Sequence, residues 1–472
     1  MLFNSLEFIF FYIFVTIVFF ILPQKFRWVH LLAASCYFYM AFIPVYILIL
    51  GGTIVVDYAA GLLIEKSAGT KRKSYLIMSL IANIGVLCIF KYYNFFVDNI
   101  NFTASLFGIQ KSLNYLSILL PIGLSFHTFQ AMSYTIEVYR GNQKAEKHFG
   151  IYALYVMFYP QLVAGPIERP QNILHQFYEK KIPNADDIFS GLAQMTRGFF
   201  KKVVVADLLA TYVDTIFNNY THFYGFTVLF AVWLFLFEVY CDFSGYTDIA
   251  IGAARTMGFH LMPNFALPLF SKTLSELWKR WHISLSTWFR DYLFNPIVIQ
   301  KRDWGKWAVV YASLITFLLS GLWHGASWNF VIYGGLQGLF ISFEILLNIK
   351  SKFFNKNFFR KLLGVFITFN LFSLSLIFFR SYTFNQAISV FKNIFNSNGF
   401  FNLQVSDPAL FISMMISLFV LIGVEYFFYR KQTLHDLYLS HKKTTIFLSL
   451  MFILFIVLFG ISNGEQFIYF QF

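Results

Sequence analysis

Two histidines carry the chemistry that this sequence could do. His324 lies in Ser320-Gly-Leu-Trp-His-Gly-Ala-Ser-Trp328, between two long apolar runs. An imidazole there sits where its neighbours require lipid or protein interior, and such a residue normally lines a cavity or a reaction path. Gly321 and Gly325 flank it as a small-xxx-small pair, which lets a helix or a substrate approach the backbone closely. A histidine that only packs and hydrogen-bonds against a neighbouring helix is the alternative. The second histidine, His282, stands upstream in Trp281-His-Ile-Ser-Leu-Ser286. An imidazole with the ordinary pKa of ~6.5 is mostly deprotonated near neutral pH, and burial lowers it further. It can therefore take the proton of a hydroxyl while an acyl group moves from a thioester to that alcohol. A covalent acyl-histidine route stays open beside it. Trp323, Trp328 and the glycines would shape the path.

The elements that must position these residues are those of a membrane protein. Of 472 residues, 58% are hydrophobic and only 12% charged, about half the charged share of a soluble domain. Apolar runs of ~20 residues suffice to cross the ~30 Å hydrocarbon core. Candidate spans are 5–22, 27–43, 45–65, 74–93, 114–139, 203–220, 226–252, 307–323, 325–347, 362–380, 409–429 and 444–462. The first lacks a basic leader and a small-residue cleavage site, so it reads as a retained span. The fold class expected is an all-α polytopic membrane protein. Cys36, Cys88 and Cys241 lie in apolar segments without metal-ligand or CxxC spacing, which argues against zinc and structural disulfides.

The formal net charge of +13 would suit nucleic acid, but the cations are spread over short loops rather than gathered on one face. No nucleic-acid partner is expected. Placing the basic loop Lys66–Lys73 in the cytoplasm puts all but Lys91, Lys111, Arg380 and Lys392 of the 36 Lys and Arg on the same side. Both termini then come out extracytoplasmic. Residues 149–167 are apolar yet carry Pro160, Gln161, Gly165 and Pro166, which predicts a re-entrant element buried in protein or lining a cavity, with an interfacial loop as the alternative.

Residues 274–292 form an amphipathic pattern at 100° per residue. Leu274, Leu277, Trp278, Trp281, Leu285, Trp288, Phe289 and Tyr292 share one side, and Lys279, Arg280 and Arg290 lie opposite. This predicts one helix in the interface plane, with His282 on the seam between its faces. There it would reach a cavity mouth, or simply anchor at headgroup level. The cations around it, Lys279 and Arg280 among them, would attract anionic headgroups or a phosphorylated donor such as an acyl-coenzyme A. Glu238, Asp242 and Tyr246 stack on one helical face, either as a structural network or as the wall of a reaction chamber. Asp57, Glu137, Glu344 and Glu425 are isolated acids near helix ends, expected to snorkel or pair.

Several stretches together resemble the membrane-bound O-acyltransferase (MBOAT) family, in the branch containing the membrane subunit of bacterial alginate O-acetyltransferase. They are Met1-Leu-Phe-Asn-Ser, Tyr159-Pro-Gln-Leu-Val-Ala-Gly-Pro-Ile167, Tyr240-Cys-Asp-Phe-Ser-Gly-Tyr-Thr-Asp-Ile-Ala-Ile-Gly252, Trp278-Lys-Arg-Trp-His-Ile-Ser-Leu-Ser-Thr-Trp288, Leu322-Trp-His-Gly-Ala-Ser327 and Tyr469-Phe-Gln-Phe472. The resemblance implies that His324 is the histidine required for transfer and His282 the second family histidine. It also implies an MBOAT fold of about 11–12 transmembrane helices plus re-entrant and interfacial amphipathic helices, as a single domain over 1–472. Trp323, Lys279, Arg280, Asp242, Tyr246 and Gln161 are the substrate-binding candidates, with no metal site. The expected reaction moves an acyl group, foremost acetyl, from cytosolic acetyl-CoA toward hydroxyls of an extracytoplasmic polysaccharide, with no bound cofactor. An SGNH-type acyltransferase would be the partner and the bacterial inner membrane the location. After Arg290-Asp-Tyr-Leu-Phe294 this chain reads Asn295-Pro-Ile-Val-Ile-Gln300, where alginate-type proteins carry an Ile-Pro-Leu-Gly-Gly-Asn-like loop. Peptidoglycan, cellulose and other exopolysaccharides therefore stay open as acceptors. A transporter or flippase using the histidines as a proton relay is the alternative of a different class.

Overall fold

A computed structural model describes residues 1–472 except 110–112, 118–120, 122, 164, 397–402, 406, 432–437 and 462–472, together with the side chains of 428–431. The described residues are helical and contain no strand. Eight helices are long and apolar enough to cross a membrane: Pro44–Lys66, Gly69–Leu106, Phe226–Thr256, Lys306–His324, Trp328–Leu346, Phe358–Arg380, Pro408–Phe427 and Lys442–Phe459. The protein is thus an all-α, multi-pass membrane protein. Four other sequence spans correspond to shorter helices, Leu6–Ile21, Gln24–Met40, Leu124–Arg140 and Asp207–Asn218. Part of the 114–139 span lies outside the described residues, as does the Tyr469–Phe472 motif.

The chain divides into two compact units. One comprises Met1–Gly191 with Ala250–Met262, the other Leu192–Ile249 with Pro263–Phe472. In the first, Asp57 is not at a helix end as its sequence position suggested. It is buried in mid-helix, where its carboxylate accepts from Ser79 Oγ at 2.6 Å and Asn83 Nδ2 at 2.9 Å. Such bonds offset the cost of burying a carboxyl group. The 149–167 stretch folds as Phe149–Met157 and Tyr159–Leu162, interrupted at Phe158. Pro160 fits the break, because it has no N–H to bond the carbonyl four residues back and its ring clashes there, so it sits in the first turn of a new helix rather than inside a continuous one. The described residues from Gly150 to Glu168 are buried, so the irregular backbone here is shielded by protein. Gly123, at φ +75°, cannot carry a side chain: a Cβ there would lie 2.7 Å from the Leu162 carbonyl oxygen.

The second unit has a continuous aromatic and aliphatic core running from Phe200 to Phe452, whose rings stack 4.6 Å apart. Lipid tails are as apolar as leucine, so close packing and polar contacts hold such helices together more than exclusion of water does. The tightest packing joins Lys306–His324 to Trp328–Leu346. A Cβ on Gly334 would meet the Phe317 carbonyl oxygen at 2.1 Å, and one on Gly321 the Phe330 carbonyl oxygen at 2.2 Å. Only glycine fits at either place.

Candidate active site

His324 is the last residue of the Lys306–His324 helix, which Gly325 ends by turning to an extended conformation at φ −159°. Gly325 is also fixed sterically, since a Cβ would lie 2.1 Å from the Phe330 ring. The small-xxx-small pair read from the sequence therefore serves packing of a neighbouring helix. It leaves the imidazole only 5% exposed. Its surroundings are aromatic: ring centroids lie 5.1 Å away for Trp323, 5.5 Å for Phe379 and 6.1 Å for Tyr333.

The stretch 274–292 is not the single helix that its periodicity predicts. It splits into Leu274–Trp278 and Ile283–Phe289, and His282 sits at the break with φ +44° and ψ +55°. The apolar residues assigned to the inner face are nonetheless buried, apart from a half-buried Tyr292. The break has a visible cause in the segment Asn264–Ala266, which captures the backbone groups that a continuous helix would use. Ile283 N donates to Asn264 O at 2.8 Å, and Ala266 N donates to Arg280 O at 2.9 Å. The left-handed backbone of a non-glycine residue costs roughly 1–2 kcal/mol and persists only where surrounding contacts over-determine it. His282 is consequently wholly buried rather than at a seam facing a cavity mouth. Burial, and then the neighbouring His324, push its pKa well below the ordinary imidazole value.

Both histidines contact one indole. The Trp323 ring centroid lies 6.0 Å from His282 and 5.1 Å from His324. Phe243 closes the other side of His282 edge-on at 4.6 Å. The two histidines therefore share one aromatic cage, and the break at His282 carries this residue inward.

The remaining candidates fall into three places. Asp242 is engaged by Lys202 Nζ at 2.7 Å, and Tyr246 presents its ring to the same ammonium at 6.0 Å. They belong to a buried ionic cluster in which Lys202 also meets Asp207 at 2.9 Å. Lys201 spans Asp248 at 3.3 Å and Glu425 at 3.2 Å, and Arg197 grips Asp248. Lys279 and Arg280 stand at the end of the Leu274–Trp278 helix. Lys279 is exposed and lines a pocket of about 420 Å³ with Thr273, Ser275, Glu276, Glu344 and Lys350. Arg280 pairs with Glu276 at 2.9 Å. Gln161 lies in the other compact unit, buried, with Nε2 donating to Tyr155 O at 2.6 Å.

Several sequence assignments are corrected here. Among the described residues Glu344 meets no cation; it caps the Leu274–Trp278 helix, accepting from Leu274 N at 2.6 Å and from Ser275 N at 2.9 Å. A carboxylate is favoured there because helix N-termini present unbonded N–H groups and partial positive charge. Glu425, by contrast, pairs as expected: it meets Lys201 at 3.2 Å and also accepts from Tyr240 Oη at 2.5 Å. Arg197, Lys201 and Lys202, counted as loop cations, are buried ion-pair partners. The sequence reading missed Asn264. Its only signal was position, directly after Pro263 in an otherwise apolar connection.

Residues 147–389 match the model of the membrane-bound O-acyltransferase family. The chain is 37% identical to a protein named "Probable alginate O-acetylase AlgI" from Pseudomonas aeruginosa, over 74% of this chain and 67% of that one. A protein of the same name from Pseudomonas syringae is 33% identical over 94% of this chain and 84% of its own length. The "Peptidoglycan O-acetyltransferase" of Helicobacter pylori is 33% identical over 80% of this chain and 76% of its own.

Proposed function

Because the chain belongs to the membrane-bound O-acyltransferase family and is an acyltransferase of that family, we propose that it takes an acetyl group from acetyl-CoA in the cytosol. The acetyl group is passed toward hydroxyls of a polysaccharide outside the bacterial inner membrane, through a partner acyltransferase. The names of its relatives support an acetyl donor and a polysaccharide acceptor. The observation that carries the reading is the pair of buried histidines sharing the Trp323 indole, inside the family-matched region.

In this mechanism His324 is the general base. Its neutral imidazole accepts the proton of the acceptor hydroxyl, and the oxygen attacks the thioester carbonyl. The C–S bond breaks, and the coenzyme A thiolate takes the proton back from the imidazolium, giving ester and free thiol. Trp323 spaces the two imidazoles, and His282 holds the donor side of the cage. Lys279 and Arg280 attract the phosphates of the donor. Asp242 and Tyr246 act through the packing of their helix. Loop charge supports an orientation with Lys66–Lys73 cytoplasmic and both termini outside.

The test is coenzyme A release by the purified protein in proteoliposomes supplied with acetyl-CoA, an SGNH-type partner acyltransferase and polysaccharide. Acetylated polymer should appear in step with free thiol. A transporter or flippase would consume no thioester, and its movement of substrate without thiol release would overturn the proposal. For orientation, an alkaline phosphatase fusion within residues 66–73 should be inactive; an active one would reverse it.

A further inference from the structure

Asn264 gives its side-chain oxygen three donors. His282 Nδ1 lies 3.1 Å from Asn264 Oδ1, Ser284 Oγ donates to it at 2.8 Å, and Ser284 N donates at 3.2 Å. The backbone N–H of Ser284 decides the orientation of the amide, because it can only donate. Flipping Asn264 would set an NH2 group against that N–H and against the hydroxyl proton. The atom facing His282 is therefore an acceptor, and a neutral imidazole can meet it only with Nδ1 protonated. The lone pair is then on Nε2. The arrangement is kept although Asn264, 1% exposed, leaves its Nδ2 without a hydrogen-bond partner among the described residues. The same residue holds the turn through its main chain, accepting from Ile283 N at 2.8 Å.

We infer that Asn264 is a positioning residue that fixes His282 as the Nδ1–H tautomer, so that Nε2 is the nitrogen presented to substrate. The inference rests on the acyltransferase site described above. It adds a residue outside the histidine motifs and specifies which ring nitrogen works. A neutral imidazole locked in this form can accept a hydrogen bond or proton at Nε2 and cannot donate from it. His282 then suits holding a hydroxyl or thiol proton, and does not suit donating to a carbonyl oxygen.

The direct experiment is nitrogen NMR of the full chain in membranes with 15N-labelled histidine, assigning His282 by its loss in His282→Gln. A protonated Nδ1 and unprotonated Nε2 in the wild type are expected. A protonated Nε2 at neutral pH would overturn the inference whatever the activity shows. Kinetics supply a second arm. Asn264→Ala should lower kcat at least tenfold with KM for acetyl-CoA little changed, whereas Asn264→Asp keeps the acceptor and should retain most of kcat. Its carboxylate should also move the acid limb of the pH–rate profile to higher pH, because a negative neighbour favours imidazolium. Equal kcat and pH profiles in wild type and a folded Asn264→Ala would overturn the positioning role. Wild-type transfer by His282→Gln would refute catalytic use of His282 and leave the tautomer assignment standing.

Discussion

Two buried polar regions of the second unit make a useful contrast. In one, Arg197, Lys201 and Lys202 meet Asp207, Asp242, Asp248 and Glu425 at ion-pair distances, so attraction is spent within the cluster. In the other, His282 and His324 are enclosed by the rings of Trp323, Phe243, Phe379 and Tyr333. The first has more charge and more hydrogen bonds, yet its members are committed to each other. The second has little charge and sets two imidazoles among aromatic rings. Density of polar groups and capacity for catalysis are different properties.

The contrast can be broken most severely at His324. His324→Ala should lower acetyl transfer by roughly 10²–10⁴-fold while the unfolding temperature in detergent stays near that of the wild type. Wild-type turnover would remove the aromatic cage from the mechanism. The ionic cluster should behave in the opposite way. Lys202→Met leaves Asp207 and Asp242 without their shared ammonium and should destabilise the protein by about 3–5 kcal/mol. Replacing Lys202, Asp207 and Asp242 together by Met, Leu and Leu should recover much of that loss. Persistent inactivity in a stable triple variant would show that the cluster serves the reaction directly.

Glu168 is an intermediate case, a buried carboxyl in the first unit bonded to Met262 N and Asn172 Nδ2. Burial outweighs those bonds and the nearby Arg169, pushing its pKa from 4.5 up to about 7. Between those values the folded protein binds more protons than the unfolded chain, so stability falls as pH rises through that window. The loss amounts to roughly 3 kcal/mol once both states are ionised. Glu168→Gln should flatten this slope; an unchanged slope would place the titration elsewhere. The smallest effects belong to the rim. Lys279→Ala and Arg280→Ala should raise KM for acetyl-CoA by less than about tenfold, with the difference shrinking as salt screens the charges. An unaltered KM at low salt would detach these residues from the donor.

Much of the fold was legible because long apolar runs and interrupting glycines have few other uses. Gly321 signalled its close helix contact through spacing alone. The aromatic cage was half legible: Trp323 and His324 are neighbours in sequence, but Tyr333 reaches His324 through folding of the hairpin and Phe379 only through packing of a distant helix. The break at His282 was hidden, since the apolar period continues through it. What interrupts the helix is hydrogen bonding to Asn264–Ala266, and hydrophobicity does not record where backbone groups find partners. The lysines at 201 and 202 misled for a related reason. Composition counts a cation as solvent-seeking until its buried carboxylates are seen.

The glycine contact between Lys306–His324 and Trp328–Leu346 also bears on how molecules enter and leave. Backbone pressed on backbone at Gly321 and Gly334 leaves neither helix room to slide, so this hairpin behaves as a doorpost. Phe379, on the Phe358–Arg380 helix, is a ring against His324 that belongs to neither member of the hairpin. That helix is moored at its end by the Arg380–Asp214 ion pair. Phe379 is itself packed against Phe330 at 5.0 Å and Tyr333 at 5.3 Å, so the same post braces the ring beside His324.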